Sequence, residues 1–150
     1  MAIDNTPILV PHLVVDDAAA ALDFYAKAFG AEEMARLPGP GGKLMHAAFR
    51  IDGHMVFLND DFPEFNDGKS TTPAALGGTA VTIHLHGPDV DARFQRALDA
   101  GATVVNPLED QFWGDRYGVV RDPFGHQWSL AETVREVDFS TIAEEMNAQT

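Results

Sequence analysis

Cysteine is absent from this chain of 150 residues. Without thiols the protein can form no disulfide bond, use no thiolate nucleophile and hold no zinc ion through sulfur ligands. Any metal binding or covalent chemistry would therefore depend on nitrogen and oxygen side chains.

Basic residues are also scarce, because 10 Lys and Arg stand against 23 Asp and Glu, for a formal net charge of −13. Nucleic acids and anionic membranes are bound through Lys and Arg, so the sequence predicts neither as a partner. No segment approaches the roughly 20 apolar residues of a membrane helix, and residues 1–10 do not form a signal peptide. A soluble, cytoplasmic protein is expected.

One pattern of residues occurs twice in the chain. Several pairs of identical residues share a separation of 72 positions, among them His12 and His84, Leu13 and Leu85, Asp17 and Asp89, Gly53 and Gly125, His54 and His126, and Leu58 and Leu130. A constant separation over this length indicates a duplicated supersecondary unit.

Each copy predicts a strand, a helix and three further strands. In the first copy these strands cover residues 8–15, 31–37, 44–51 and 54–60, and in the second 79–86, 101–107, 116–122 and 126–132. Asp16 or Asp17 is expected to cap the first helix, and Asp89 the second. The domain prediction is a βαβββ module over 8–59, a linker over 60–78, a second module over 79–132, and a tail over 133–150. The tail is predicted to form a short helix capped by Ser140 or Thr141.

Two segments, "LVVDDAAAALDFYAKAFGAEE" and "LEDQFWGDRYGVVRDPFGHQWSLAE", resemble the vicinal oxygen chelate superfamily, also called the glyoxalase/bleomycin resistance/dioxygenase superfamily. The second is similar to the PhnB-like branch in particular. The resemblance implies an α+β fold in which two tandem βαβββ modules form curled mixed sheets around a cup. It also implies a homodimer, often with modules paired across chains. Its members include metal-dependent lyases and isomerases, ring-cleaving dioxygenases and non-catalytic drug-binding proteins, so the fold leaves the function open.

Metal-using members of this superfamily carry ligands at four points, early in the first strand and late in the last strand of each module. Aligned on the repeated Asp and Gly residues, these points fall on Val10, Phe57, Thr82 and Ser129. Val and Phe cannot bind a metal, and Thr and Ser are poor ligands for a divalent transition metal. The sequence therefore predicts no metal at the usual site and no cofactor.

Side chains alternate between the two faces of a strand. His12 and His84 each lie two residues after one of these points, so both are expected to face the cup. Three interpretations remain open: hydrogen-bonded polar residues near the core, ligand-binding or proton-transferring residues, and a displaced metal site completed by His46 or His86. Imidazole exchanges protons near neutral pH, so His12 and His84 are the candidate catalytic residues.

The loop "LEDQFWGDRYG" at 108–118 supplies further candidates for ligand binding. Trp113 offers a flat apolar surface, and Arg116 offers a planar set of donors that suits a carboxylate or phosphate. The alternative for Arg116 is an ion pair with Asp115 or Glu109. Tyr117 corresponds in the repeat to His46. His46, His86, Tyr117 and Trp128 are the remaining candidate ligand-binding residues, although Tyr117 and Trp128 could instead pack in the core.

The main prediction is a homodimer that binds a small organic molecule in the cup without the usual metal. One alternative is a lyase, isomerase or dioxygenase with an atypical metal-ligand set. The other is a protein that only sequesters a drug or metabolite. Whether the chain is an enzyme is left open.

Overall fold

The computed structural model describes residues 2–148. Its strands are β1 (His12–Val15), β2 (Glu32–Pro38), β3 (Leu44–Ile51), β4 (His54–Asp60), β5 (Thr82–His86), β6 (Thr103–Asp110), β7 (Asp115–Arg121) and β8 (Gln127–Thr133). Its α-helices are α1 (Ala18–Phe29), α2 (Pro73–Leu76), α3 (Val90–Ala100) and α4 (Phe139–Ala148). The segment 60–78 also holds a short 3₁₀ turn, Pro63–Phe65.

The duplicated sequence folds into two sheets of the same topology. The first has the order β1-β4-β3-β2 and the second β5-β8-β7-β6. In each sheet the module's first strand pairs parallel with its last, and the other pairs are antiparallel. The predicted α+β fold of paired βαβββ modules is confirmed. The strand predicted over 8–15 is wrong in its first half, because the β1 ladder begins only at His12, after Pro11.

The free backbone amides at the helix starts do not all bind the groups that the sequence predicted. Asp17 caps α1 as predicted, since its side chain accepts from the Ala20 amide. Asp89 has a left-handed φ of 59° and makes no side-chain cap. The first amide of α3, that of Val90, donates instead to the Glu132 carboxylate on β8. In the tail helix the amide of Ser140 donates to Asp138, so the cap lies before the predicted Ser140 or Thr141.

Both modules share one hydrophobic core. Helices α1 and α3 contact each other, and Tyr25 of α1 packs against Phe49 of the first sheet and Trp128 of the second. The Tyr25 hydroxyl donates to Oδ2 of Asp122 at 2.5 Å, and the Trp128 indole donates to the same oxygen at 2.9 Å. One buried carboxylate therefore joins residues from both halves of the chain.

Each sheet turns one face toward this core and leaves the other, which we call its open face, uncovered by α1 and α3. On β1, Leu13 and Val15 are buried in the core while His12 is exposed. On β5, His84 and His86 are exposed and alternate with the half-buried Ile83 and Leu85. Among residues 2–148 no helix has the length and apolar character needed to span a membrane.

Candidate functional site

The first open face carries a group of aromatic and polar rings around His12. Nε2 of His12 lies 2.6 Å from Oδ1 of Asn59. Since Asn59 uses its Nδ2 to donate to a backbone carbonyl, Oδ1 is the acceptor and His12 carries a proton on Nε2. The ring of His12 also meets His46 and Phe57, with centroids 6.1 and 6.0 Å away.

The second open face carries a continuous chain of side-chain hydrogen bonds. Ser129 Oγ lies 2.7 Å from His84 Nδ1, and His84 Nε2 lies 3.5 Å from His86 Nδ1. His86 Nε2 lies 3.0 Å from Thr133 Oγ1, which donates to Asp115 Oδ1 at 2.9 Å. We call this row the Ser129–Asp115 chain.

The donors in the Ser129–Asp115 chain all point one way. The Thr133 hydroxyl gives its hydrogen to Asp115, so it accepts from Nε2 of His86. A neutral His86 then accepts at Nδ1 from Nε2 of His84, whose own Nδ1 accepts from the Ser129 hydroxyl. The carboxylate of Asp115 ends the chain, and both imidazoles fit it in their neutral Nε2-protonated form.

The neutral form of His84 is favoured by its surroundings. Partial burial lowers the pKa of His84 below the ordinary value of 6.5, the neighbouring His86 lowers it further, and Asp115 acts in the opposite direction. At neutral pH His84 is therefore an uncharged ring that both donates and accepts.

We expect NMR titration of the folded protein to give His84 a pKa below the value found in the urea-unfolded chain. Because the unfolded state then binds protons more readily, the free energy of unfolding should fall as the pH drops below about 6.5 and through the folded-state pKa. His84→Gln assigns the resonance and should remove this part of the pH dependence. A His84 pKa equal to or above the unfolded value would contradict the burial argument.

Aromatic rings extend the second open face beside this chain. Tyr117 stacks on His84 with a centroid distance of 6.1 Å. Trp113 meets the Tyr117 ring edge-on at 5.8 Å, and its indole Nε1 donates to Asp115 Oδ2. Trp113 and Tyr117 border a cleft of about 320 Å³, which we call the Trp113 cleft, together with Asn106, Pro107, Glu109 and Gln111.

Arg116, a predicted ligand-binding residue, is not on this face. In the antiparallel β7–β8 pairing Arg116 lies opposite Glu132, whereas Tyr117 lies opposite Ala131 on the open face. Its guanidinium binds Asp91 of α3 at 2.9 Å and Asp110 of β6 at 3.1 Å. These carboxylates raise the pKa of Arg116, and they leave it engaged on the helix side of the sheet. Of the two earlier interpretations the ion pair is right, with other partners than Asp115 and Glu109.

Trp128 also points away from the open face. It is fully buried, it packs on Phe29 and Tyr25, and its indole donates to Asp122. Ser129, the next residue along β8, faces the open side through its contact with His84. The prediction that Trp128 is a ligand-binding residue is corrected to a core residue.

The residues at the superfamily's metal positions do not fit a metal. His12 pairs with Phe57 across β1 and β4, and His84 pairs with Ser129 across β5 and β8. Where a metal would need a second strong ligand, His12 therefore has a phenyl ring beside it and His84 has a hydroxyl. Across residues 2–148, no group of three or more His, Cys, Asp or Glu side chains is placed to hold an ion.

Apart from Arg116 and Trp128, the structure divides the predicted site residues between the two open faces. His12 and His46 lie on the first open face; His84, His86, Trp113 and Tyr117 lie on the second. Within residues 2–148 no hydrogen bond or ring contact joins the two groups. Sequence reasoning considered Asp115 and Glu109 only as ion-pair partners of Arg116 and did not select Thr133 or Asn106. Their positions follow from the β6–β7–β8 register, which the repeat does not encode.

A model of the Glyoxalase/Bleomycin resistance protein/Dioxygenase superfamily matches residues 8–130. The chain belongs to this superfamily. The uncharacterized protein Rv0887c of Mycobacterium tuberculosis is 66% identical over 149 residues, which is 99% of this chain and 88% of that protein.

Solved structures agree with this assignment. TioX from Micromonospora sp. ML1 is 31% identical with a TM-score of 0.65, over 86% of this chain and 100% of that one. TnmS3 from Streptomyces sp. CB03234, described as an antibiotic binding protein, is 25% identical with a TM-score of 0.62, over 89% and 98%. A PhnB protein from Bacillus cereus shares the fold at 20% identity and a TM-score of 0.59, over 83% and 98%. The predicted superfamily is confirmed, and the PhnB protein, at its level of identity, shows the fold alone.

Proposed function

We propose that this glyoxalase/bleomycin-resistance superfamily protein binds a small organic molecule on its second open face, without a divalent metal at the superfamily's usual positions. The observation that carries the proposal is the combination of exposed aromatic rings, a cleft and a row of ordered polar groups. Small-molecule sites typically combine apolar walls with a few placed hydrogen-bonding groups. The description of TnmS3 as an antibiotic binding protein supports this class of function.

The rings and the polar row have separate roles in this proposal. Trp113 and Tyr117 provide a surface for stacking a planar part of the ligand. The Ser129–Asp115 chain holds its side chains in one set of orientations, so that a ligand meets fixed hydrogen-bonding groups and binding orders few of them.

We further propose that a second copy of the chain completes the cup. The rings around His12 and those around His84 make no contact within residues 2–148, and a second chain would bring one group of each kind to a shared ligand. The first open face also exposes Leu37, which pairs with His46 across β2 and β3 and is 57% accessible. An apolar side chain at this place suits burial by a partner.

Replacing Trp113 with Ala is expected to weaken a ligand found by thermal-shift screening at least about tenfold, because aromatic anchors contribute most of the energy at such surfaces. Calorimetric titration of the whole protein measures the affinity and should give two molecules bound per dimer. Tyr117→Phe keeps the second ring and serves as the control, with binding expected to change much less. Unchanged affinity in Trp113→Ala would place the ligand elsewhere.

The same ligand separates the alternatives left open by the sequence. A metal-dependent enzyme should lose binding or turnover after treatment with a chelator, whereas the proposed site should not. An enzyme of either kind would convert the ligand during incubation, and a sequestering protein would return it unchanged. Mass spectrometry of the incubated ligand decides between these outcomes.

A further inference from the structure

The chemistry of the Trp113 cleft defines which class of ligand fits it. The cleft lies between the end of β6, the loop that follows and the start of β7, and it is lined by Trp113, Tyr117 and Glu109 among others. Trp113 is 37% exposed. Its indole nitrogen is fixed on Asp115, so the rotation of the ring is constrained while part of its surface remains open.

Two carboxylates lie near the cleft, those of Glu109 and Asp115, and they differ in the hydrogen bonds that they already make. The Glu109 side chain is exposed, and no ion pair or side-chain hydrogen bond to it is found in the described part of the chain. Asp115 accepts from Trp113 and Thr133 and still carries its negative charge beside the indole. Two carboxylates therefore accompany two aromatic rings.

The nearby cations are directed elsewhere. Arg116, the closest in sequence, is held by Asp91 and Asp110 on the opposite side of the sheet. Arg135 is exposed, and its Nη2 donates to the backbone carbonyls of Gln111 and Phe112, which ties the side chain to the loop. Neither arginine lines the Trp113 cleft, so neither is placed to pair with an anion there.

Resting on the proposed function, we infer that the Trp113 cleft selects a planar organic cation, stacked on Trp113 and paired with Glu109. A cation over the face of Trp is attracted by the ring's negative quadrupole, and a carboxylate at the rim adds to this attraction. An anionic ligand would meet the same ring faces, Glu109 in the cleft and Asp115 beside the indole, with no Lys or Arg among the lining residues that the structure describes. This reverses the carboxylate or phosphate preference that Arg116 suggested from sequence.

Three acridines of nearly the same shape test the inference in calorimetric titrations of the whole protein at mildly alkaline pH. They are the cation 9-aminoacridine, neutral acridine and the anion acridine-9-carboxylate. We expect the cation to bind at least about fivefold more tightly than the neutral ring, and the anion more weakly than either. Added salt should reduce the preference for the cation.

Glu109→Gln keeps the shape of the side chain and should reduce the preference for the cation by about threefold or more, while leaving affinity for neutral acridine unchanged. Glu64→Gln removes the same charge from an exposed site on the 3₁₀ turn Pro63–Phe65 and should leave the preference intact. Circular dichroism melting confirms that both variants are folded.

The results separate this inference from the proposed function. If the anion binds as tightly as the cation and Trp113→Ala still weakens both, the ligand site stands and the cation selectivity is overturned. If Glu109→Gln and Glu64→Gln lower the preference equally, only the net charge of the protein acts and the pairing with Glu109 is wrong. If no acridine binds and screened ligands are insensitive to Trp113→Ala, the proposed site itself fails.

Discussion

Asp122→Ala is expected to lower the free energy of unfolding by about 2–6 kcal/mol, because two buried side-chain donors each lose their acceptor at about 1–3 kcal/mol. These donors are the Tyr25 hydroxyl and the Trp128 indole nitrogen, both of which bind Oδ2. The Asp122 side chain is only 4% exposed, so water does not readily replace it. Chemical denaturation followed by circular dichroism measures the loss.

The two oxygens of Asp122 have separate tasks, and Asp122→Asn distinguishes them. Oδ1 accepts from the backbone amides of Phe124 and His126 and so fixes the β7–β8 turn. Asparagine keeps an oxygen for these amides, but its NH₂ group cannot accept from Trp128. We expect the Asn variant to lose about 1–3 kcal/mol while keeping the turn.

Asp23→Ala is the matched control for this series, since it removes the same charge from an exposed position on α1 and should change stability by no more than about 0.5 kcal/mol. If Asp122→Ala were no more destabilising than Asp23→Ala, the buried carboxylate would contribute nothing to the free energy of unfolding. The carboxylate also raises the pKa of Tyr25 well above its ordinary value, after the larger effect of burial. Tyr25 should therefore resist ionisation until the protein unfolds in alkali.

Gly114→Ala is expected to abolish binding at the Trp113 cleft and to lower stability by about 1–3 kcal/mol. Gly114 has a φ of 102°, which L side chains rarely adopt. A Cβ placed there would lie 2.5 Å from the backbone oxygen of Arg135 and 2.6 Å from Val137. The loop would have to move, and Trp113 would move with it.

Gly41→Ala separates backbone strain from this steric clash. Gly41 also has a positive φ, 72°, but a Cβ there meets nothing within 4 Å. We expect Gly41→Ala to have a smaller stability cost and no effect on ligand affinity in calorimetric titration. Normal ligand binding by Gly114→Ala would mean that the position of Trp113 is not critical.

The fold could be predicted from the sequence because the repeat, the capping Asp17 and the strand alternation agree with one another. Strands β3 and β4 have the predicted bounds, 44–51 and 54–60. The same alternation placed His12 and His84 on the open faces. By the same alternation Trp128 faces the core, because its neighbour on β8, Ser129, faces the open side.

The contents of the site were less predictable, because they depend on pairings between distant residues. Arg116 and Tyr117 are neighbours, and which of them faces the ligand side follows from the register of β7 against β8. Asp122 stood only at the end of a predicted strand, and its role could not be seen because its donor Tyr25 lies 97 residues away. Glu132 replaces Asp89 as the partner of the α3 start for the same reason.

The shared core has a consequence for the history of the duplicated halves. A single module of this kind would carry either the Tyr25 hydroxyl, which would then lose its acceptor, or the Asp122 carboxylate, which would keep only the donors of its own module, Trp128 and the two turn amides. Once the donor Tyr25 and the acceptor Asp122 were divided between the two copies, neither copy could fold well without the other. Their outer surfaces then remained free to diverge, one toward aromatic character around His12 and the other toward the ordered polar row that ends at Asp115.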